Sequence, residues 1–185
     1  MRIISGRWKG RHLIAPVSLP VRPTTDMAKE ALFNILSNEF DLDSVSVTDL
    51  FAGTGNITYE FASRGAVSVR AVDRDRGCVK YIAQTARQLE FSQVIDVVQA
   101  DVFRYVTRAQ QPCDIVFADP PYDLPAEKYR ELVQAVMDGG LLSECGILVL
   151  EHPKAIDLSD REDFSQMRRY GTVHFSFFEH PGGEE

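Results

Sequence analysis

Four apolar runs, each closed by an aspartate and each followed by a helix-like stretch or a stiff turn, constrain this chain more than any other feature. Val45-Ser46-Val47-Thr48 leads into Asp49, and Ser68-Val69-Arg70-Ala71-Val72 into Asp73. Val94-Ile95-Asp96-Val97-Val98-Gln99-Ala100 leads into Asp101, and Ile115-Val116-Phe117-Ala118 into Asp119. Runs rich in β-branched residues read as buried strands. Helical spacing is expected over 56–64, 75–90, 102–108 and 126–137, the last ended by Gly139-Gly140. A fifth strand is predicted over 146–150, and two antiparallel strands over 168–170 and 172–178, around Gly171. An earlier helix runs from Asp26 to about Asn38, with Met27, Ala31, Leu32, Ile35 and Leu36 as its apolar stripe. Alternating strands and helices imply an α/β fold: a doubly wound, mostly parallel seven-stranded sheet with a C-terminal antiparallel hairpin.

Ligands of open α/β sheets bind outside the carboxyl ends of the strands. A single aspartate there is ordinarily a helix N-cap. Four in succession, with glycines after the first and two prolines after the last, point to one shared nucleoside site. In Asp49-Leu50-Phe51-Ala52-Gly53-Thr54-Gly55 the glycines let a ligand approach the backbone. The dinucleotide fingerprint needs a third glycine where Thr58 stands, so a pyrophosphate is poorly supported. Asp73 lies about twenty residues on, where nucleoside-binding domains carry a ribose-gripping acid. In Asp119-Pro120-Pro121-Tyr122 the prolines remove two N–H donors and stiffen the turn. A carboxylate, free carbonyls and a ring on such a turn suit a planar group bearing an NH₂. His152, in Leu150-Glu151-His152-Pro153, reads as structural, and Phe175, Phe177 and Phe178 as packing.

The length suits one sizeable core. The divisions expected are a basic N-terminal hairpin or extension over 1–25, one catalytic domain over 26–180, and a disordered tail over 181–185. No run approaches the ~18 apolar residues of a membrane span, and no apolar leader precedes Gly6. Cys78, Cys113 and Cys145 form no zinc spacing or disulfide framework, which fits a reducing cytoplasm. His12, His152, His174 and His180 are scattered, so no metal is expected. Net charge is −7, yet residues 1–25 hold Arg2, Arg7, Lys9, Arg11 and Arg22 and no acid, leaving −12 on the remainder. A basic head on an acidic body points to nucleic acid, with Trp8 among the cations as a stacking face or a hairpin anchor.

The order D-x-F-x-G-x-G, V-D, a third Asp and D-P-P-Y resembles the class I S-adenosylmethionine-dependent methyltransferases that modify amino groups, with their Rossmann-like sheet. The head narrows the likeness. Arg2-Ile3-Ile4-Ser5-Gly6-Arg7-Trp8-Lys9-Gly10-Arg11, Arg22-Pro23-Thr24-Thr25-Asp26 and Lys29-Glu30-Ala31-Leu32-Phe33-Asn34 resemble the bacterial 16S ribosomal RNA guanine-N2 methyltransferase family (RsmD). That likeness runs from Arg2 to about Glu179. Met27 stands where the family commonly has a basic residue, implying one RNA or cofactor contact fewer. Thr58 stands where it commonly has glycine, implying a tighter first helical turn.

The resemblance implies S-adenosylmethionine as cofactor and 16S ribosomal RNA, within a small-subunit particle, as partner. It implies that Gly53 and Gly55 carry the methionine part, with Phe51 in the same loop, and that Asp49 faces the ammonium. It implies Asp73, with Arg74 beside it, on the ribose, and Asp101 with the Val102 N–H on adenine. Asp119 and the Pro120 carbonyl would take the guanine N2 hydrogens, with Pro121 stiffening the turn and Tyr122 stacking on the base. Arg7, Trp8, Lys9, Arg11 and Arg22 would meet RNA. Three other functions stay open: a DNA adenine methyltransferase, which would share Asp119–Tyr122, a protein glutamine methyltransferase, which usually has Asn in place of Asp119, and a catalytically silent RNA-binding protein.

Overall fold

The computed structural model describes residues 1–19, 24–108 and 111–181. Its order is α1 (Asp26–Glu39), β1 (Ser46–Leu50), α2 (Asn56–Ser63), β2 (Ser68–Asp73), α3 (Arg76–Gln88), β3 (Ile95–Gln99) and α4 (Val102–Val106). There follow β4 (Cys113–Ala118), α5 (Ala126–Asp138), β5 (Leu142–His152), β6 (Phe164–Tyr170) and β7 (Val173–Glu179). The seven strands form one sheet in the order β3-β2-β1-β4-β5-β7-β6. Pairing is parallel from β3 through β5, and β7 runs antiparallel to both β5 and β6. The expected doubly wound sheet and terminal hairpin are both present.

Side-chain alternation along the strands builds two cores. Val47, Val69, Ala71, Ile115, Phe117, Ile147, Val149, Phe175 and Phe177 face α1, α2 and α3. Leu50, Val72, Val116, Ala118, Leu148, Leu150 and Phe178 face α4 and α5. Burial on both faces explains why these strands read as continuous apolar runs. Two elements exceed the sequence expectation. β5 begins at Leu142, ahead of Gly146, and β6 at Phe164, ahead of Arg168. Each extension interleaves apolar residues (Leu142 and Cys145, Phe164 and Met167) with Ser143, Glu144, Ser165 and Gln166, so neither reads as a continuous apolar run.

The head folds back as a hairpin, with an antiparallel bridge between Arg2 and His12 and further bonds from Ile3 N–H to Arg11 and from Gly10 N–H to Ile3. It lies along α2. A Cβ on Gly6 would sit 1.8 Å from the Ser63 carbonyl oxygen, so only glycine permits this approach. Ile3 is buried in the α1–α3 core. Arg22 and residues 182–185 lie outside the described residues.

Candidate active site

The carboxyl edge of the sheet gathers the motif residues. The turn after β1 is tight: Phe51 has φ +60°, Gly53 +57° and Gly55 +80°. Phe51 pays for this left-handed conformation with roughly 1–2 kcal/mol of strain, and its ring meets Phe103 edge-on at 6.4 Å. Gly53 donates its N–H to Asp73 Oδ2 at 2.8 Å. The other Asp73 oxygen accepts from Asp75 N–H at 2.8 Å. Each oxygen keeps a lone pair for an outside donor. Arg74 is exposed beside it. Asp101 caps α4 by accepting from Arg104 N–H at 3.0 Å, through Oδ1. Val102 opens that helix, and its N–H has no helical partner by position.

Three further acids line one face of the same edge. Asp49 pairs in register with Phe117, and Ala118 with Leu150, so Asp119 and Glu151 are side by side on β4 and β5. Their parity with Val47, Phe117 and Val149 turns all three toward the α1–α3 side. Asp49 is buried and accepts from Thr58 Oγ1 at 2.5 Å. Burial pushes its carboxyl up to about 7, against the Thr58 hydrogen bonds, which pull it down. Burial also raises Asp119 well above the usual carboxylate range, with the charges of Glu151 and Asp49 adding to it. Glu151 is raised by burial and relieved by bonds from Thr24 and Tyr122. Among the described residues no lysine or arginine pairs with any of the three. No donor among them bonds the half-buried Asp119 carboxylate. This edge suits a ligand that brings positive charge and N–H or O–H donors.

The turn itself is asymmetric. Pro120 is buried and Pro121 exposed. The Pro121 carbonyl is already engaged, accepting from Leu124 N–H at 3.0 Å and Tyr129 Oη at 3.3 Å. Tyr122 is 47% exposed, and its hydroxyl donates to Glu151 Oε1 at 3.4 Å.

The basic head is distributed differently from the other motifs. Trp8 donates its indole N–H to Leu89 O at 2.9 Å, and its main-chain N–H to Ser63 Oγ at 2.9 Å. Ser63 and Leu89 close α2 and α3, and the chain beyond α2 joins Val45 through the Val67 N–H. The tip of the hairpin is therefore at the amino edge, about 12 Å from the motifs by the length of α2. Trp8 is an anchor there, flanked by Arg7 and Arg11, whose guanidiniums are 5.8 and 5.9 Å from the ring centroid. Arg7 also pairs with Glu90. Lys9 and Arg11 are exposed.

His152 is structural. Its Nδ1–H donates to Pro153 O at 3.0 Å and Nε2 accepts from Ser176 at 2.7 Å, while burial lowers its pKa. Sequence reasoning missed Glu151, Thr24 and Asn56. The signal for Glu151 was present, since it is a fifth acid at a strand end, one residue before the histidine that drew attention. Thr58, read as a departure, is the donor to Asp49. Among the described residues no cluster could hold a metal ion, and no helix is long and apolar enough to cross a membrane.

A family model described as Conserved hypothetical protein 95 matches residues 1–179. The putative rRNA methyltransferase YlbH of Bacillus subtilis (strain 168) is 32% identical over 188 residues, covering 98% of this chain and 100% of that protein. Ribosomal RNA small subunit methyltransferase D of Escherichia coli (strain K12) is 30% identical over 151 residues, covering 82% of this chain and 74% of that one. The structure of the putative methyltransferase yhhF from Escherichia coli aligns with a TM-score of 0.82 at 26% identity, covering 96% of each chain.

Proposed function

We propose, because this chain belongs to the family described as Conserved hypothetical protein 95, that it methylates the exocyclic N2 amine of a guanine in 16S ribosomal RNA. It is an S-adenosylmethionine-dependent rRNA methyltransferase, a function carried by family membership and by relatives bearing that activity in their names. The N2 position, the small-subunit particle as substrate and the cytoplasm as its location belong to the proposal. One observation carries it: Asp119, a carboxylate that no donor among the described residues bonds, on a Pro-Pro turn beside the glycine loop and the other strand-end acids.

The residues fit the cofactor. Asp73 keeps two lone pairs for the ribose hydroxyls, and Asp101 with the Val102 N–H would meet adenine. Asp49 would face the ammonium, and its Thr58 bond keeps the carboxyl aimed. Bound S-adenosylmethionine supplies a methyl group on a sulfonium with a neutral leaving group. The chain's part is placement. The guanine amine is a poor nucleophile because its lone pair is delocalised into the ring. Asp119 and the Pro120 carbonyl accept its two hydrogens, which favours the pyramidal form reached toward the transition state. Tyr122 offers its exposed ring to an unstacked base, offsetting ~1–3 kcal/mol of the extrusion.

Labelled methyl transfer offered to 16S RNA, small subunits, DNA and protein tests the reading, followed by nucleoside analysis. N2-methylguanosine is expected, and label on adenine or on protein would overturn it. Asp73→Ala should weaken S-adenosylhomocysteine binding by about 2 kcal/mol or more, through unpaired hydroxyls and a loosened Gly53 turn. Unchanged affinity by calorimetry removes Asp73 from the cofactor site.

Arg7, Lys9, Arg11 and Arg22 would contact RNA phosphates, with Lys9 and Arg11 the freer of the described cations. Lys9→Ala with Arg11→Ala should flatten the dependence of log affinity on log salt by roughly 0.7 to 0.9 per charge. Cognate and unrelated RNA should weaken about equally. An unaltered slope moves RNA docking off the hairpin.

A further inference from the structure

We infer that Glu151 is a positioning residue of the methyl transfer, holding Tyr122 by its hydroxyl and acting on Asp119 through the charge it carries on the adjacent strand. The inference rests on the proposed role of the D-P-P-Y turn, and goes beyond it by adding a residue that no motif contains.

Three observations carry it. The first is register: Ala118 pairs with Leu150, so the next residues on these parallel strands, Asp119 and Glu151, are neighbours on one face. The second is a set of bonds on a buried carboxylate. Glu151 is 3% exposed, accepts from Thr24 Oγ1 at 3.0 Å through Oε2, and from Tyr122 Oη at 3.4 Å through Oε1. The third is continuity. Thr24 O accepts from Asn56 Nδ2 at 3.2 Å, and Asn56 Oδ1 from Lys29 Nζ at 2.8 Å. Lys29 Nζ in turn donates to Arg2 O at 2.6 Å. A single chain of contacts thus joins the basic head, the start of α2 and the base-stacking tyrosine.

A buried glutamate with two hydroxyl partners, an acid beside it and, among the described residues, no cation is a poor choice for stability alone. A glutamine or an apolar side chain would spare the desolvation. Such arrangements concentrate where charge is used. Among the described residues, the groups around the pair are Asp49 from β1, Thr24 ahead of α1, Tyr122 and Asp123 from the turn, Tyr129 from α5 and Phe175 opposite on β7. None of these is a cation. Asp119 therefore meets an amine's hydrogens in a state that Glu151 helps to set, and Tyr122 meets the base with its hydroxyl already tethered.

The test uses Glu151→Gln, Glu151→Ala and Thr24→Val in the full chain. Glutamine keeps an oxygen to accept from one of the two hydroxyls and an amide N–H to donate to the other, but removes the charge. In Glu151→Gln the titration midpoint of Asp119, read by carboxyl ¹³C NMR without cofactor, should fall. The acidic limb of single-turnover methyl transfer should move to lower pH with it. Glu151→Ala should lose about fivefold to tenfold in turnover through the lost tether. Glutamine should restore most of that loss, and Thr24→Val should fall between. Affinity for S-adenosylhomocysteine should hold in all three. An Asp119 midpoint and an acidic limb that do not move in Glu151→Gln overturn the inference, as does full turnover in Glu151→Ala. Should the alanine variant fail to fold, the glutamine titration alone decides. A parent protein that makes no N2-methylguanosine would instead overturn the function reading, and the NMR titration would still decide the coupling.

Discussion

Asp119→Ala is expected to lower turnover by about 10²-fold or more, the scale of a lost transition-state acceptor. Affinity for S-adenosylhomocysteine should stay within a few-fold, because the acids proposed to hold the cofactor, Asp73 and Asp101, lie on β2 and after β3, away from β4. The same variant should be no less stable than the parent. Asp119 is a half-buried carboxylate that no donor among the described residues bonds, next to Glu151 and Asp49, and all three press against ionisation. Removing it relieves like-charge crowding and leaves no partner unsatisfied. A group that costs stability and supports the reaction is the usual signature of a functional site. Single-turnover transfer, calorimetry and a thermal melt together decide this. An alanine variant with parental turnover takes Asp119 out of the mechanism. One that loses turnover and also melts early makes its role structural.

The sheet was legible because its central strands are buried on both faces and its acids fall where those strands stop. Asp49, Asp73, Asp101 and Asp119 each interrupt an apolar run, and the two-residue period then fixes which of them share a face. What stayed hidden involves long-range packing. Glu151 follows Leu150 like the other strand-end acids, but His152 is the more reactive residue type and drew the reading. The extensions of β5 and β6 interleave Ser143, Glu144, Ser165 and Gln166 with apolar residues, so no continuous apolar run marks them. The head read as a positive patch, because a sequence displays charge and hides partners. Arg7 is matched by Glu90 and Trp8 by the end of α3, contacts spanning more than eighty positions. Lys29 and Glu60 lie on helices where nothing local reveals that a hairpin covers them.

That cover sets the second large effect. Glu60→Ala should destabilise the protein by about 3–5 kcal/mol, the cost of breaking a buried ion pair from one side. Glu60 and Lys29 are both fully buried, 3.3 Å apart. The glutamate accepts from Ile4 N–H at 2.8 Å, from Ser5 N–H at 3.0 Å and from Arg64 Nε at 2.9 Å. Alanine would leave the Lys29 ammonium with only the neutral acceptors Arg2 O and Asn56 Oδ1, and would take the carboxylate from a guanidinium and two backbone donors at once. Burial already lowers the Lys29 pKa, and the Glu60 charge is the main force opposing that shift. Replacing both partners, as in Glu60→Gln with Lys29→Met, should cost less than Glu60→Ala, because glutamine keeps an acceptor for the backbone donors and no buried ammonium remains. Urea unfolding measures the loss, and limited proteolysis between Gly6 and Gly10 reports release of the hairpin. A loss under ~1 kcal/mol would mean that water reaches the pair and that the head is only loosely attached. The same contacts make deletion of residues 1–20 a poor probe of RNA docking. Such a deletion strips Glu60 of two donors and takes Ile3 from the core, so activity would fall through folding before any phosphate contact was tested. Point changes at Lys9 and Arg11, which no buried group depends on, separate the two roles.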